Sequence, residues 1–112
     1  LIGGLLPPGG GVATGAAGGS ALAGLRAGIA VLGACGLDPD FGLSADRDGE
    51  ARLKQAMAAA AAAVIVPASA AKLGLRARYR ALVPSEIDAV ITDAAPDAVG
   101  GYLEQGMEVI HA

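Results

Sequence analysis

A single cation, Lys72, closes the run AVIVPASAAKLG (Ala63 to Gly74), in which a short aliphatic stretch gives way to small residues. Ligands of open parallel sheets bind outside the carboxyl ends of the strands, so a lysine there is placed to act as a mobile point charge on phosphate. Two further strand ends carry comparable groups. In Gly33-Ala34-Cys35-Gly36-Leu37-Asp38, the glycines Gly33 and Gly36 let backbone N–H groups approach an anion, with the Asp38 carboxylate beside them. Thr92-Asp93 ends a third apolar run. Each group also has an ordinary reading: a solvated loop lysine, turn glycines, and a turn or capping aspartate. Glu50 and Lys54, spaced i, i+4 with the acid first, read as a surface helix pair. Arg76, Arg78 and Arg80 read as an exposed basic stripe. The Gly9 to Gly19 region lacks the Lys-Ser/Thr ending of a phosphate-binding P-loop and lacks a GxGxxG between strand and helix.

Composition removes several function classes. The chain has 112 residues, enough for one domain with a modest core. Hydrophobic residues make up 54%, much of it alanine, so stability must come from close backbone approach rather than aromatic anchors. A net charge of −3 argues against the whole chain binding nucleic acid. The one cysteine, Cys35, excludes an internal disulfide, and the one histidine, His111, argues against a zinc site or a Ser-His-Asp triad. No cofactor or metal is expected. The longest apolar run, Ala56 to Ala68, is broken by Pro67 and too short to span a bilayer, and no signal peptide is visible. A soluble cytoplasmic protein with no membrane partner is expected.

The elements that must position these groups alternate. Leu1 to Gly4 reads as the tail of a strand whose upstream part is missing, and Leu5 to Ser20 as a loop. Ser20 caps a short helix over Ala21 to Ala27. Ile29 to Ala34 is a buried strand, Gly36 to Asp48 a polar loop, and Gly49 to Ala63 a helix. Val64 to Val66 is the next strand, and Leu73 to Val83 an edge strand or extended loop. Ile87 to Thr92 is a strand, Asp97 to Gln105 a helix with Pro96 at its start and Gly106 at its end, and Met107 to His111 the last strand. This order predicts an α/β fold, a mostly parallel sheet flanked by helices.

Taken in order, Leu1-Ile2-Gly3-Gly4, LGACGLDPDFGL (Leu32 to Leu43), EARLKQAM (Glu50 to Met57), AVIVPASAAKLG, IDAVITD (Ile87 to Asp93) and LEQGMEVI (Leu103 to Ile110) resemble the C-terminal effector-sensing domain of the DeoR family of bacterial transcriptional repressors. That domain is similar to sugar-phosphate isomerases of the ribose-5-phosphate isomerase type. The resemblance implies that residues 1–112 form an incomplete sensing domain that binds a phosphorylated sugar or related anionic metabolite. Effector binding would alter the hold of an N-terminal helix-turn-helix, absent from this chain, on operator DNA. By position, Gly36, Asp38 and Lys72 would line the effector pocket. The residues before Lys72 depart from the family pattern, with Ser69, Ala70 and Ala71 where an acid and two hydroxyls are usual. An isomerase would need a positioned carboxylate base, but Leu53 stands where the isomerases carry a Glu, so catalysis is not expected. The alternatives are an isomerase-like enzyme and a dimerising remnant without ligand. An open sheet edge and alanine-rich faces make a homo-oligomer the expected assembly.

Overall fold

The computed structural model of the chain describes residues Gly3–Leu6, Val12–Ala13 and 27–112. The helix expected over Ala21 to Ala27 lies outside the described residues, apart from Ala27, which begins a strand.

Nine strands and two α-helices occur among the described residues: β1 (Gly3–Leu6), β2 (Val12–Ala13), β3 (Ala27–Leu32), β4 (Gly36–Asp38), β5 (Gly42–Ala45), α1 (Asp48–Ala60), β6 (Ala61–Pro67), β7 (Tyr79–Leu82), β8 (Ala89–Thr92), α2 (Gly100–Glu104) and β9 (Glu108–His111). The larger sheet has the order β2-β1-β3-β6-β8-β9. Strands β3, β6, β8 and β9 run parallel, while β1 pairs antiparallel with both β2 and β3. The α/β, mostly parallel architecture expected from the sequence is therefore present. Strands β1 and β2 correct the expectation of a loop from Leu5, because β1 continues to Leu6 and Val12 pairs back onto Leu5.

Alternation along the strands builds the core. Ala30 and Leu32 of β3, Val64 and Val66 of β6, and Val90 of β8 are all buried. Helix α1 covers them with Ala51, Leu53 and Met57, a spacing that keeps one helical stripe turned inward. Asp48 and Glu50 lie in its first turn, where their negative charge suits the positive end of the helix dipole. The helix was expected to run to Ala63, but it stops at Ala60 and the chain enters β6 without a loop. Ala61 and Ala63 pair with Ala27 and Ile29 of β3. Alanine favours helix by well under 1 kcal/mol per residue, and sheet pairing outweighs it here.

The segment Gly36 to Asp48, expected to be a polar loop, instead holds a hairpin. Strands β4 and β5 pair antiparallel, and β5 pairs with β7 as the other edge of a three-stranded sheet. Leu37, Leu43 and Leu82 give this sheet a fully buried face. Its turn is made by Asp38, whose Oδ2 accepts the backbone N–H groups of Asp40 at 2.9 Å and Phe41 at 2.8 Å. Gly42 then takes a φ of +96°, open to glycine at little cost. The expected helix Asp97 to Gln105 is split into a 3-10 turn over Pro96–Ala98 and the short α2, and Gly106 ends it at a φ of +89°.

Gly36 is buried, and a side chain there would run into the Leu75 carbonyl. At Gly49, in the first turn of α1, an added Cβ would meet only open space. Urea denaturation of two variants should therefore give opposite results. Gly36→Ala is expected to lose about 2–3 kcal/mol, while Gly49→Ala is expected to gain up to about 1 kcal/mol.

Candidate functional site

The parallel strands β3, β6 and β8 present their carboxyl ends on one edge. Beyond β6 the chain is held to its neighbour by the Ala68 N–H, which donates to the Ile91 carbonyl at 2.8 Å. It then makes a single 3-10 turn, Ala70–Lys72. The Ala70 N–H donates to Asp93 Oδ1 at 2.8 Å, so the carboxylate after β8 caps the turn after β6. Lys72 closes this turn with its side chain exposed.

Below the turn lies a hollow of about 430 Å3, lined by Asp38, Ala70, Ala94, Gly101 and Tyr102 among others. Small side chains leave the space, and the polar groups give it chemistry. Asp38 is only 8% exposed. Its Oδ2 takes the Asp40 and Phe41 N–H groups and, at 3.1 Å, the Arg76 guanidinium. None of these three contacts uses Oδ1, leaving that oxygen as an acceptor for a ligand hydroxyl. Burial pushes the Asp38 carboxyl up, but the Phe41 and Asp40 N–H groups and Arg76 outweigh it, so the group titrates below the ordinary aspartate value. Tyr102, buried at 3% exposure, donates its hydroxyl to the Leu37 carbonyl and accepts the Gly74 N–H at 3.0 Å. Gly74 also donates to Leu37 at 2.8 Å. Burial, only partly offset by the Gly74 N–H and reinforced by the Asp38 charge, holds the phenol above its usual range. Gly101 lets α2 approach closely, since a Cβ there would lie 3.0 Å from Pro39 Cγ.

The structure thus brings Asp38 and the turns carrying Lys72 and Asp93 to one hollow. Gly36 stands apart from it, facing the Leu75 carbonyl and hydrogen-bonded by its own carbonyl to Ser44 Oγ at 3.3 Å. Gly33 also stands apart. Its carbonyl accepts the Lys54 Nζ at 2.6 Å.

Lys54 is a correction to the sequence reading. It is not a surface partner of Glu50 but a buried residue, 3% exposed, at the end of β3. Burial pushes its ammonium below the ordinary lysine value, with Cys35, Glu50 and Asp46 pulling the other way. The exposed i, i+4 pair of α1 is Asp48–Arg52, at 3.0 Å. The helical stripe Leu53, Lys54, Met57 was the available signal, for it places Lys54 on the inward face. The arginine stripe is exposed but not idle: Arg76 and Arg80 lie 5.6 and 5.5 Å from the Phe41 ring centroid, and Arg76 also pairs with Asp38.

With this geometry in place, comparison with known proteins decides the family. Residues 1–94 match the DeoR C terminal sensor domain. The chain belongs to that family. The sensor domain is also 40% identical over 67 residues to the HTH-type transcriptional regulator GlpR of Haloferax volcanii, a match covering 60% of this chain. It spans about a quarter of that relative's length, 26%. The role shown by the family is that of a sensor domain. Gly101 and Tyr102, on the far wall of the hollow, lie beyond the matched residues. No helix among the described residues is long and apolar enough to cross a membrane.

Two measurements check this site. Because the folded-state value of Asp38 is lowered, its stabilisation is complete above about pH 4 and fades as pH falls through the lowered value. Asp38→Asn should lose about 1 kcal/mol at pH 7 and show a shallower acid limb in pH-dependent unfolding. Tyr102→Phe, which removes the hydroxyl joining Leu37 and Gly74, should lower stability by about 1–2 kcal/mol in urea titrations without changing the secondary structure.

Proposed function

We propose that this chain is the effector-binding part of a DeoR-type transcriptional repressor and that it binds a phosphorylated sugar or related anionic metabolite at the hollow. In this reading residues 1–112 are sensing domain, and operator DNA is contacted only by a helix-turn-helix domain outside this chain. The observation that carries the proposal is the held carboxylate of Asp38, one of whose oxygens takes no hydrogen bond or ion pair among the described residues, in the wall of a hollow also lined by Ala70, which begins the short turn that ends at the exposed Lys72. A carboxylate acceptor suits sugar hydroxyls, and a mobile ammonium suits phosphate. Asp93 contributes by fixing the turn that bears Lys72, and Gly33 and Gly36 by shaping the adjoining strand end.

The proposed role is sensing rather than catalysis. Leu53, where the resembling isomerases carry a carboxylate, is only 7% exposed and packed in the core. An aldose–ketose proton transfer needs a base at that point, and a buried leucine supplies none.

Thermal unfolding with a panel of sugar phosphates, each beside its unphosphorylated sugar, tests the reading. The right phosphorylated effector should stabilise the chain by about 2.7 kcal/mol at a hundred times its Kd, and its unphosphorylated sugar much less. Lys72→Ala, which alters an exposed side chain, should weaken that effector on the order of tenfold with stability unchanged. Equal stabilisation by sugar and sugar phosphate, or none by any member of the panel, contradicts the proposal.

A further inference from the structure

Lys54 is a cation placed where a folded chain rarely tolerates one. An ammonium can donate three hydrogen bonds, and among the described residues Lys54 makes one, to a neutral carbonyl. Neither ion pair between described residues involves it. It comes from the inward stripe of α1, between the core residues Leu53 and Met57, and ends at Gly33, immediately past the carboxyl end of β3. The segment it meets, Gly33 to Cys35, is only half-buried and follows the carboxyl end of β3, on the edge where ligands of parallel sheets bind. The other titratable groups acting on it are Cys35, Glu50 and Asp46. Strand β3 pairs with β6, whose carboxyl end leads to Lys72, so these two lysines, the chain's complete set, serve neighbouring strand ends.

We infer that Lys54 is a second anion-holding group of the sensor, receiving an oxyanion of the effector at the carboxyl end of β3. A buried ammonium hydrogen-bonded to one carbonyl loses its hydration while Glu50 and Asp46 act on it without forming a contact ion pair, and a bound oxyanion supplies a counter-charge in direct contact where water is scarce. The depressed titration of Lys54 fits the same account, because an anion at Nζ favours the charged form and raises it again. The inference rests on the proposed effector site and deepens it. Because Gly33 stands apart from the hollow, the effector class becomes a phosphorylated compound long enough to extend from the hollow to the carboxyl end of β3, with Lys72 as the outer cation and Lys54 as the inner one.

The chain has two lysines, so 13C labelling at the lysine ε-carbon gives two signals, which Lys54→Met assigns. In the free chain the Lys54 signal should titrate below the ordinary lysine range. Its midpoint should rise on adding inorganic phosphate or the stabilising sugar phosphate, and Lys54→Met and Lys54→Gln should each bind that sugar phosphate at least about tenfold more weakly. If the sugar phosphate stabilises the chain while the Lys54 midpoint stays put and Lys54→Gln binds like the parent, the inference is overturned and the effector reading stands. If no sugar phosphate binds but inorganic phosphate raises the Lys54 midpoint, the inference stands and the sugar reading falls. Failure of both measurements overturns both.

Discussion

The Tyr102 hydroxyl joins the two sheets. It donates to the carbonyl of Leu37 in the small sheet and accepts from Gly74, on the segment that leaves the large sheet after β6. Gly74 shares its N–H with the same carbonyl, so three polar groups satisfy one another, and the two buried ones, the Tyr102 hydroxyl and the Leu37 carbonyl, would be costly left alone. The Asp38 turn begins one residue after Leu37, and the Lys72 turn ends two residues before Gly74. The positions of both candidate ligand groups therefore follow from this one knot. Gly101, packed against Pro39, brings α2 near enough to deliver the tyrosine.

Electrostatics then divides the few charged groups into distinct roles. Asp38 is buried but stabilised as an anion, because backbone N–H groups and a guanidinium hold one of its oxygens. Asp93 spends its charge on a backbone N–H and fixes the neighbouring turn. Lys72 stays exposed to solvent. Lys54 has lost hydration and gained a single carbonyl. A sensor needs its binding energy expressed as a change in the protein, and a group unsatisfied before the ligand arrives is a direct way to couple the two.

How far these features could be read from the residues depended on the range of the forces involved. The parallel strands were legible because short aliphatic runs bounded by glycines and prolines have few other stable homes. The end of α1 was not, since its last residues and the start of β6 are all alanine, and only pairing with β3 separates them. The β4–β5 hairpin was missed although Asp38-Pro39-Asp40-Phe41-Gly42 is a turn signal flanked by Leu37 and Leu43. Three aspartates between Gly36 and Asp48 drew attention to polarity and away from the buried leucines. Of the candidate site residues, Asp38, Lys72 and Asp93 were proposed from strand-end logic. Lys54 was passed over because a Glu at i−4 gave it a sufficient local partner.

The amino-acid sequence by itself determined the layered α/β class, the edge that carries the candidate site, the ordered motifs that place the chain in its family and the absence of a disulfide within it. These depend on periodicity, composition and spacing, which are local quantities. Only the tertiary structure decided that Lys54 is buried and Lys72 exposed, that Gly36 is a glycine because the Leu75 carbonyl occupies its side-chain space, and that a tyrosine 65 positions away anchors Leu37. Burial and hydrogen-bond satisfaction are set by distant segments meeting in space.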